Sequence, residues 1–544
     1  MKLYFIGADH EVTGSCHILE AAGKKIMIDR GMEQGKDIFE NADLPYPPSE
    51  FDAILLTHAH IDHSGLIPQM VAQGFSGPIY ATRATSDLSD LMLRDSAHIQ
   101  EFEAEWRNEK ARKKKLVEAY TPLYTMADAM KAISLFVPLE YGKETGIFDG
   151  ISVKFTDIGH LLGSACIEIN VSETEADGKI ISKKLLFSGD VGNVDQPLIR
   201  DPQKVEGADY LVIESTYGDR VHGKREDYYT ALSGIIQRTF DRGGNVVIPS
   251  FAVGRTQELL YFIRHIKKNH MIQGHDGFSV YVDSPLANSA TMIFNQHIYD
   301  CFDEEAMELV EKGINPITFP GLKLAITTDE SKGINFDNEP KVIISASGMC
   351  DAGRIKHHVK NNIWREESTI LFVGYQSVGT LGRKIVDGAK TVTIFGENYE
   401  VKAEIAKLAG ISGHADMNGL LDWVKGFDKR PERVFVVHGE DTVCDSFCET
   451  LKTELGHEAV APYSGAVFDL EKGEFSSFPE GRRIAPKTEK KSASEGGRTH
   501  ELAFEKLKRT GETLAGIIDR NKGLANKDIA QFQKELEALI ERWK

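Results

Sequence analysis

Cysteine is scarce in this chain. Six occur in 544 residues, and Cys16, Cys166, Cys301, Cys350, Cys444 and Cys448 form no C-x-x-C pair. A disulfide framework needs a far higher density, so a reduced, cytoplasmic setting is expected. Long apolar runs are lacking too. No stretch approaches the roughly 20 residues that cross a bilayer, and the opening MKLYFIGADH is too short in apolar residues for a signal peptide. No membrane partner is expected. Positive charge is also in deficit: 64 lysines and arginines face 82 acidic residues, a formal net charge of −18. That balance argues against a nucleic-acid footprint spread over the surface. It leaves room for a local field of opposite sign in a cleft, above all one that holds divalent cations. With 41% hydrophobic residues the chain can bury a large core, and its length suggests more than one domain.

The chain has no short-period repeat, but its pattern changes along its length. Residues 1–213 alternate short apolar runs with turn signals: KKIMID, FDAILLT, KLLFSGD and YLVIES suit strands buried on both faces. Between them, Met92 to Leu116 reads as helical and carries the basic run Ala111-Arg112-Lys113-Lys114-Lys115, best explained as a solvated face. Residues 214–410 switch to a βα rhythm. NVVIPS precedes a helix near Arg255, KVIISAS one near Gly353, and TILFVGY one near Leu381, which predicts a parallel sheet with helical crossovers. Residues 411–478 return to short strands, with RVFVVHGE the clearest, so the βα region reads as an insertion. Residues 479–500 have linker composition. The tail, 501–544, places Ile529, Phe532, Leu536, Leu539, Ile540 and Trp543 on one helical stripe, suited to docking on the body or on a second subunit.

The strongest chemical signal is HAHIDH, directly after FDAILLT. His58, His60, Asp62 and His63 lie within six positions, and the turn after a strand can fold them round one point. Imidazole nitrogen and carboxylate oxygen suit zinc without thiolate. Chance enrichment of histidine in a polar loop explains this density poorly. His160 follows VKFTDI, Asp190 ends LLFSGD, His438 ends RVFVVHGE and Asp29 ends KKIMID. Taken singly, each is explained by a structural histidine or a turn-capping aspartate. Their recurrence at strand ends points to one site at one sheet edge.

HAHIDH, GHLLGSA and FSGD, in that order, resemble the metallo-β-lactamase superfamily. IESTYG (213–218), ISGHAD (411–416) and VVHGE (436–440) resemble the three further motifs of its β-CASP nucleases. The resemblance covers roughly residues 1–470. It implies an α/β fold: an αββα metallo-β-lactamase sandwich with an inserted, Rossmann-like β-CASP domain, here followed by a helical tail. It implies two Zn2+ per chain, with Mn2+ as an alternative ion. His58, His60 and His160 would hold one, Asp62, His63 and His438 the other, and Asp190 would bridge them. Asp29 matches a carboxylate that orients a ligand histidine. His414 would protonate the departing 3′ oxygen, Glu214 would fix and charge His414, and Asp62 would help orient the attacking hydroxide. His438 favours RNA over DNA within the family.

The implied activity is hydrolysis of single-stranded RNA, leaving 5′-phosphate and 3′-hydroxyl ends. The chain looks closest to bacterial and archaeal relatives of the eukaryotic mRNA 3′-end cleavage subunit. Ser64-Gly65, where the RNase J branch often has two glycines, leans toward endonuclease rather than 5′-exonuclease action. Arg255, Ser347, Gly348, Arg354, Gly379, Thr380 and Arg383 offer backbone N–H groups or guanidinium for RNA phosphates. A homodimer is compatible with the family. The competing readings are a small-molecule metallohydrolase acting on a thioester or lactone, and a catalytically silent RNA-processing scaffold.

Overall fold

The computed structural model describes residues 1–35, 38–113, 120–174, 178–223, 227–408, 412–484, 514, 518 and 526–543. The chain divides into two units, Met1–Ile484 and Ala485–Lys544. In the second unit a helix spans Asn526–Trp543 and includes all six positions of the expected apolar stripe. The expected linker beyond residue 484 lies outside the described residues.

The first unit is built on three large sheets. An eight-stranded sheet has the order Glu474–Ser477, Val467–Asp469, Lys2–Gly7, Cys16–Ala21, Lys24–Ile28, Ala53–Leu55, Ile79–Thr82, Phe136–Leu139. A seven-stranded sheet runs Ala459–Val460, Arg433–Val437, Tyr210–Glu214, Ile180–Phe187, Ala165–Thr174, Ile151–Asp157, Thr145–Phe148. Leu3, Phe5, Leu19 and Ile28 from the first pack on Phe155, Ile167, Phe187, Val212 and Phe435 from the second, which makes a sandwich. The outer faces are also apolar and carry helices. Trp423, Phe447 and Leu451 cover Leu211, Ile213, Val434 and Val436, while Ile67, Met70 and Val71 cover Ile18, Met27 and Ile54. The strand Tyr210–Glu214 illustrates the logic: alternate residues feed the inter-sheet core and the helix-covered face. The result is the αββα sandwich.

The third sheet has six strands among the described residues. Its order is Leu322–Leu324, Ser279–Val282, Lys341–Ser345, Val246–Pro249, Thr369–Phe372, Glu404–Lys407, and every pairing is parallel. This is the sheet that the βα rhythm predicts. The chain then returns to the sandwich, where Arg433–Val437 lies beside Tyr210–Glu214 in parallel register.

Two differences from the sequence reading stand out. The helix expected from Met92 begins at Arg83 and runs to Lys113, with Lys114 to Leu116 outside the described residues. Its first turns hold buried Thr85, Ser86 and Ser89. Thr82 and Thr85 hydroxyls donate to the Gly163 carbonyl, tying this helix to the His160 loop. Residues 412–484 also contain two helices, Met417–Lys425 and Asp441–Leu455, beside the expected strands. All six cysteines are buried free thiols.

One close approach positions the HAHIDH turn. Backbone N–H groups of Ser15, Arg30 and Met32 donate to the carbonyls of Asp62, His63 and Ile61. A β-carbon added at Gly31 would sit 1.6 Å from the Asp62 carbonyl oxygen. Gly31→Ala is therefore expected to lower thermal stability by about 1–3 kcal/mol, as overpacking does, and to reduce metal content. A melting curve with a metal assay checks this; unchanged values in both would refute the constraint.

Candidate metal centre

Parallel register brings the expected residues to one edge. Phe187 pairs with Val212 and Glu214 with Val437, so Asp190, Glu214 and His438 all follow neighbouring strands of one sheet. In the other sheet Ile28 pairs with Leu55, and the N–H of Asp29 donates to the Leu55 carbonyl, which sets Asp29 beside His58. The N–H of Ala165, just after the His160 loop, donates to the Thr57 carbonyl and joins the two edges.

Two sets of donor atoms meet there. His58, His60, His160 and Asp190 offer atoms that all lie within 4.8 Å of one another, and so do Asp62, His63 and His438. The imidazole nitrogens of His58 and His160 lie 3.1 and 3.3 Å from Nδ1 of His60. In the second set, Nε2 of His63 is 3.2 Å from Nε2 of His438, and the latter is 3.8 Å from Asp62 Oδ2. Asp190 stands between them. Its Oδ2 lies 3.4 Å from His58 and 3.5 Å from His160, and its Oδ1 lies 3.3 Å from His63 and 3.6 Å from His438.

The residues fit a pair of cations on three counts. First, Oδ1 of Asp190 is a buried atom with no hydrogen-bond partner. Second, nitrogen ligands held roughly 2.0–2.1 Å from one tetrahedral ion lie about 3.3 Å apart, which matches the spacings here. Third, the first set is poised to stay neutral. Burial lowers the pKa of His58, drops that of His60 to about 3, and holds that of His160 well below its usual value. Burial opposes the charge of Asp190, but His438, His63 and His58 keep it well below the carboxylate range. Burial likewise works against His63, yet the carboxylates of Asp190 and Asp29 push it well up.

For His58, His63 and His160 the outward nitrogen is anchored, so the other points inward. Nδ1 of His63 donates to Asp29 Oδ2 at 2.7 Å. The same carboxylate accepts from the Thr57 backbone and hydroxyl, both at 2.8 Å. With its one proton given to Asp29, the Thr57 oxygen is free to accept from His58 Nδ1 at 3.1 Å. His160 Nδ1 donates to the Gly413 carbonyl at 3.1 Å, and His438 Nδ1 faces the Thr216 hydroxyl at 3.1 Å. These contacts select the tautomer that leaves a lone pair at the centre. Thr57, Thr216 and the Gly413 carbonyl escaped the sequence reading. Their one visible signal is adjacency to motif residues.

His414 and Glu214 complete the edge. His414 Nδ1 lies 3.1 and 3.2 Å from the two Glu214 oxygens, and its Nε2 lies 4.0 Å from Asp190 Oδ2. Glu214 is fixed by the N–H groups of Val191 and Thr216. Burial by itself would lower the His414 pKa, but Glu214 and then Asp190 push it up to about 9. His222 Nε2 donates to the His414 carbonyl at 3.1 Å.

The residues expected to meet RNA are placed less directly. Arg255 begins its helix, but its guanidinium is largely buried and paired with Glu258. Arg354 is held by Asp283 and the Ile326 carbonyl. The Ser347 hydroxyl contacts Ala352, and the Gly348 backbone lies against Phe251. Gly379 has a φ of +96°, and Thr380 caps the helix Leu381–Val386. Arg383 pairs with Asp387, and of this group Arg383 lines the pocket shared with Tyr217, His222 and Ser412.

This fold and edge define a metallohydrolase of the metallo-β-lactamase type, and comparison with known proteins agrees. A model described as the metallo-β-lactamase superfamily matches residues 11–234, and one described as the β-CASP domain matches 256–385. A third, the Zn-dependent metallo-hydrolase RNA specificity domain, matches 398–462. The chain is 35% identical over 444 residues to Ribonuclease TTHA0252 of Thermus thermophilus, covering 81% of this chain and 94% of that one. It is 30% identical over 476 residues to Transcription termination factor FttA of Methanocaldococcus jannaschii, covering 85% and 70%. It is 30% identical over 471 residues to an RNase J-like protein of the same archaeon, covering 86% and 99%. The chain belongs to the β-CASP family of metal-dependent hydrolases with the metallo-β-lactamase fold. Among the described residues no helix is long and apolar enough to cross a membrane.

Asp29→Ala would free the outward nitrogen of His63 and leave its inward nitrogen unaimed. Metal affinity should fall about 10–100-fold with the fold intact, measured by competition with a chromophoric chelator. An affinity equal to wild type would show that Asp29 does not aim His63.

Proposed function

We propose that this protein is a two-zinc ribonuclease that cuts single-stranded RNA internally and leaves 5′-phosphate and 3′-hydroxyl ends. The observation that carries the reading is the Glu214–His414 pair held beside Asp190. A lactonase or thioesterase has no need of a second acid at this place, whereas phosphodiester hydrolysis must protonate a departing alkoxide. The names of the relatives, a ribonuclease and an RNase J-like protein, point the same way.

In this reading His58, His60 and His160 would hold one ion, Asp62, His63 and His438 the other, and Asp190 would be shared between the two sets. Bound ions would supply Lewis-acid polarisation of the phosphoryl group and a nucleophile at neutral pH. The chain's own groups do the rest. Asp29, Thr57, Thr216 and the Gly413 carbonyl aim the imidazoles. Asp62 sits at the open side of its set, more exposed than His63 or His438, where it can orient a water. Glu214 accepts from Nδ1 of His414, so the proton on Nε2 is the one delivered to the leaving 3′ oxygen. Residues 214–410 act as the inserted β-CASP domain, and RNA lies along the carboxyl edge of its sheet, where open α/β sheets bind ligands. Ser64, whose hydroxyl contacts the Ala59 and His60 carbonyls, stands where the RNase J branch often has glycine, which leans toward internal cutting.

The fully metallated protein is expected to hold two zinc ions per chain and to cut 5′-labelled single-stranded RNA internally while sparing matched DNA. His414→Ala should keep its metal and lose about 10²–10⁴ in kcat. Release of the labelled 5′ nucleotide alone would replace endonuclease by exonuclease action. No cleavage by a sample with two zinc ions would refute the catalytic reading.

A further inference from the structure

The pocket beside His414 holds more than the acid. Its volume is about 440 Å³, and Tyr217, His222, Tyr375, Arg383 and Lys407 help line it. Tyr217 packs edge-on to His414 with ring centroids 6.1 Å apart, and to His222 at 4.8 Å. The pocket wall is therefore continuous with the group that would protonate the leaving oxygen.

Strand order extends this wall into a row. The strands Lys341–Ser345, Val246–Pro249, Thr369–Phe372 and Glu404–Lys407 are consecutive neighbours in one parallel sheet. Their carboxyl ends present, in that order, Ser347 and Gly348, then Phe251, then Gly374 and Tyr375, then Lys407, at the roughly 4.8 Å spacing of neighbouring strands. Phe251 is 50% exposed and Tyr375 is 64% exposed, and both stand at the carboxyl ends of strands in this row. A methyl added at Gly348 would lie 3.6 Å from the Phe251 ring, and one at Gly374 4.0 Å from it, so this ring lies over both glycine loops. Charge in the row is sparse. Among the described lining residues Arg383 is engaged by Asp387, which also lines the pocket, and Lys407 is the cation at the strand end. A chain of net charge −18 thus offers a polyanion few cations here but two bare rings.

We propose that Tyr375 and Phe251 are base-stacking platforms, Tyr375 taking the base of the nucleotide whose 3′ oxygen leaves and Lys407 meeting that nucleotide's phosphate. The assignment of position rests on the ribonuclease reading, because His414 marks the leaving-group side. Stacking demands unpaired bases and tolerates any sequence, so these rings select single strands over duplex. It also makes affinity depend weakly on salt, since few counterions are released.

The test is a cycle of variants and substrates on the metallated full-length protein. A single-stranded RNA with one mapped cut is compared with the same strand made abasic at the nucleotide 5′ of the cut. Tyr375→Ala should raise KM about tenfold with kcat within about twofold, and leave metal content and melting midpoint unchanged. Tyr375→Phe should restore KM. The abasic strand should cost wild type a similar factor and cost Tyr375→Ala less than twofold more. Phe251→Ala should respond to an abasic site at a different nucleotide. Full multiplication of the Tyr375 and abasic losses, or an unchanged KM in Tyr375→Ala, would overturn the proposal. Wild-type cleavage of the unmodified strand reports separately on the ribonuclease reading. If that cleavage is absent, the same cycle read as equilibrium binding by fluorescence anisotropy decides the stacking.

Discussion

The site depends on one buried carboxylate. Asp190 turns one oxygen to His58 and His160 and the other to His63 and His438, and Oδ1 has no hydrogen-bond partner. Taking an ion out of water costs several kcal/mol, and the cost must be met by opposite charge close by. Imidazolium can meet part of it, but the first set of histidines is held neutral by burial. Bound cations would meet the remainder. The surrounding architecture serves that requirement: the seven-stranded sheet delivers Asp190, Glu214 and His438 at the ends of neighbouring strands. The other sheet delivers Asp29 and the HAHIDH turn, with Gly31 allowing the two to close.

Legibility in the sequence followed how local each feature is. HAHIDH declares itself because four donors sit in one turn. His160, Asp190 and His438 are single residues whose meaning lies in what stands next to them in space. They could be grouped because each ends an apolar run, and parallel strands align their ends. The βα rhythm of the third sheet was readable for the same reason. The helix from Arg83 starts nine residues before its expected beginning, where Thr85, Ser86 and Ser89 pack inward and the Thr85 and Ser86 hydroxyls donate to backbone carbonyls. Thr57, Thr216 and the Gly413 carbonyl were invisible, since a hydroxyl or a carbonyl carries no pattern. The guanidinium groups mislead most easily: Arg255 and Arg354 stand in glycine-rich loops yet are paired with Glu258 and Asp283. Exposed rings such as Tyr375 need the fold before they can be distinguished from core aromatics.

An acidic protein that acts on a polyanion is less paradoxical once the charges are placed. Carboxylates at the centre would serve as ligands, their charge offset by the ions they hold. Glu214 raises the charge of His414 instead of repelling substrate. Away from the centre, a stacking surface can hold a single strand with little help from lysine. The same arrangement sets the chemistry. His414 Nε2 lies 4.0 Å from Asp190 Oδ2, and the proposed reading puts the departing oxygen on that side and the nucleophile opposite it.

In the proposed reading water, not the ribose 2′ hydroxyl, is the attacking group. Cleavage of single-stranded RNA by the metallated protein in ¹⁸O-labelled water, read by mass spectrometry, tests this most directly. The account predicts one ¹⁸O in the 5′-phosphate of the downstream fragment and an unlabelled 3′ hydroxyl upstream. A 2′,3′-cyclic phosphate, or a 3′-phosphate carrying the label, would contradict it.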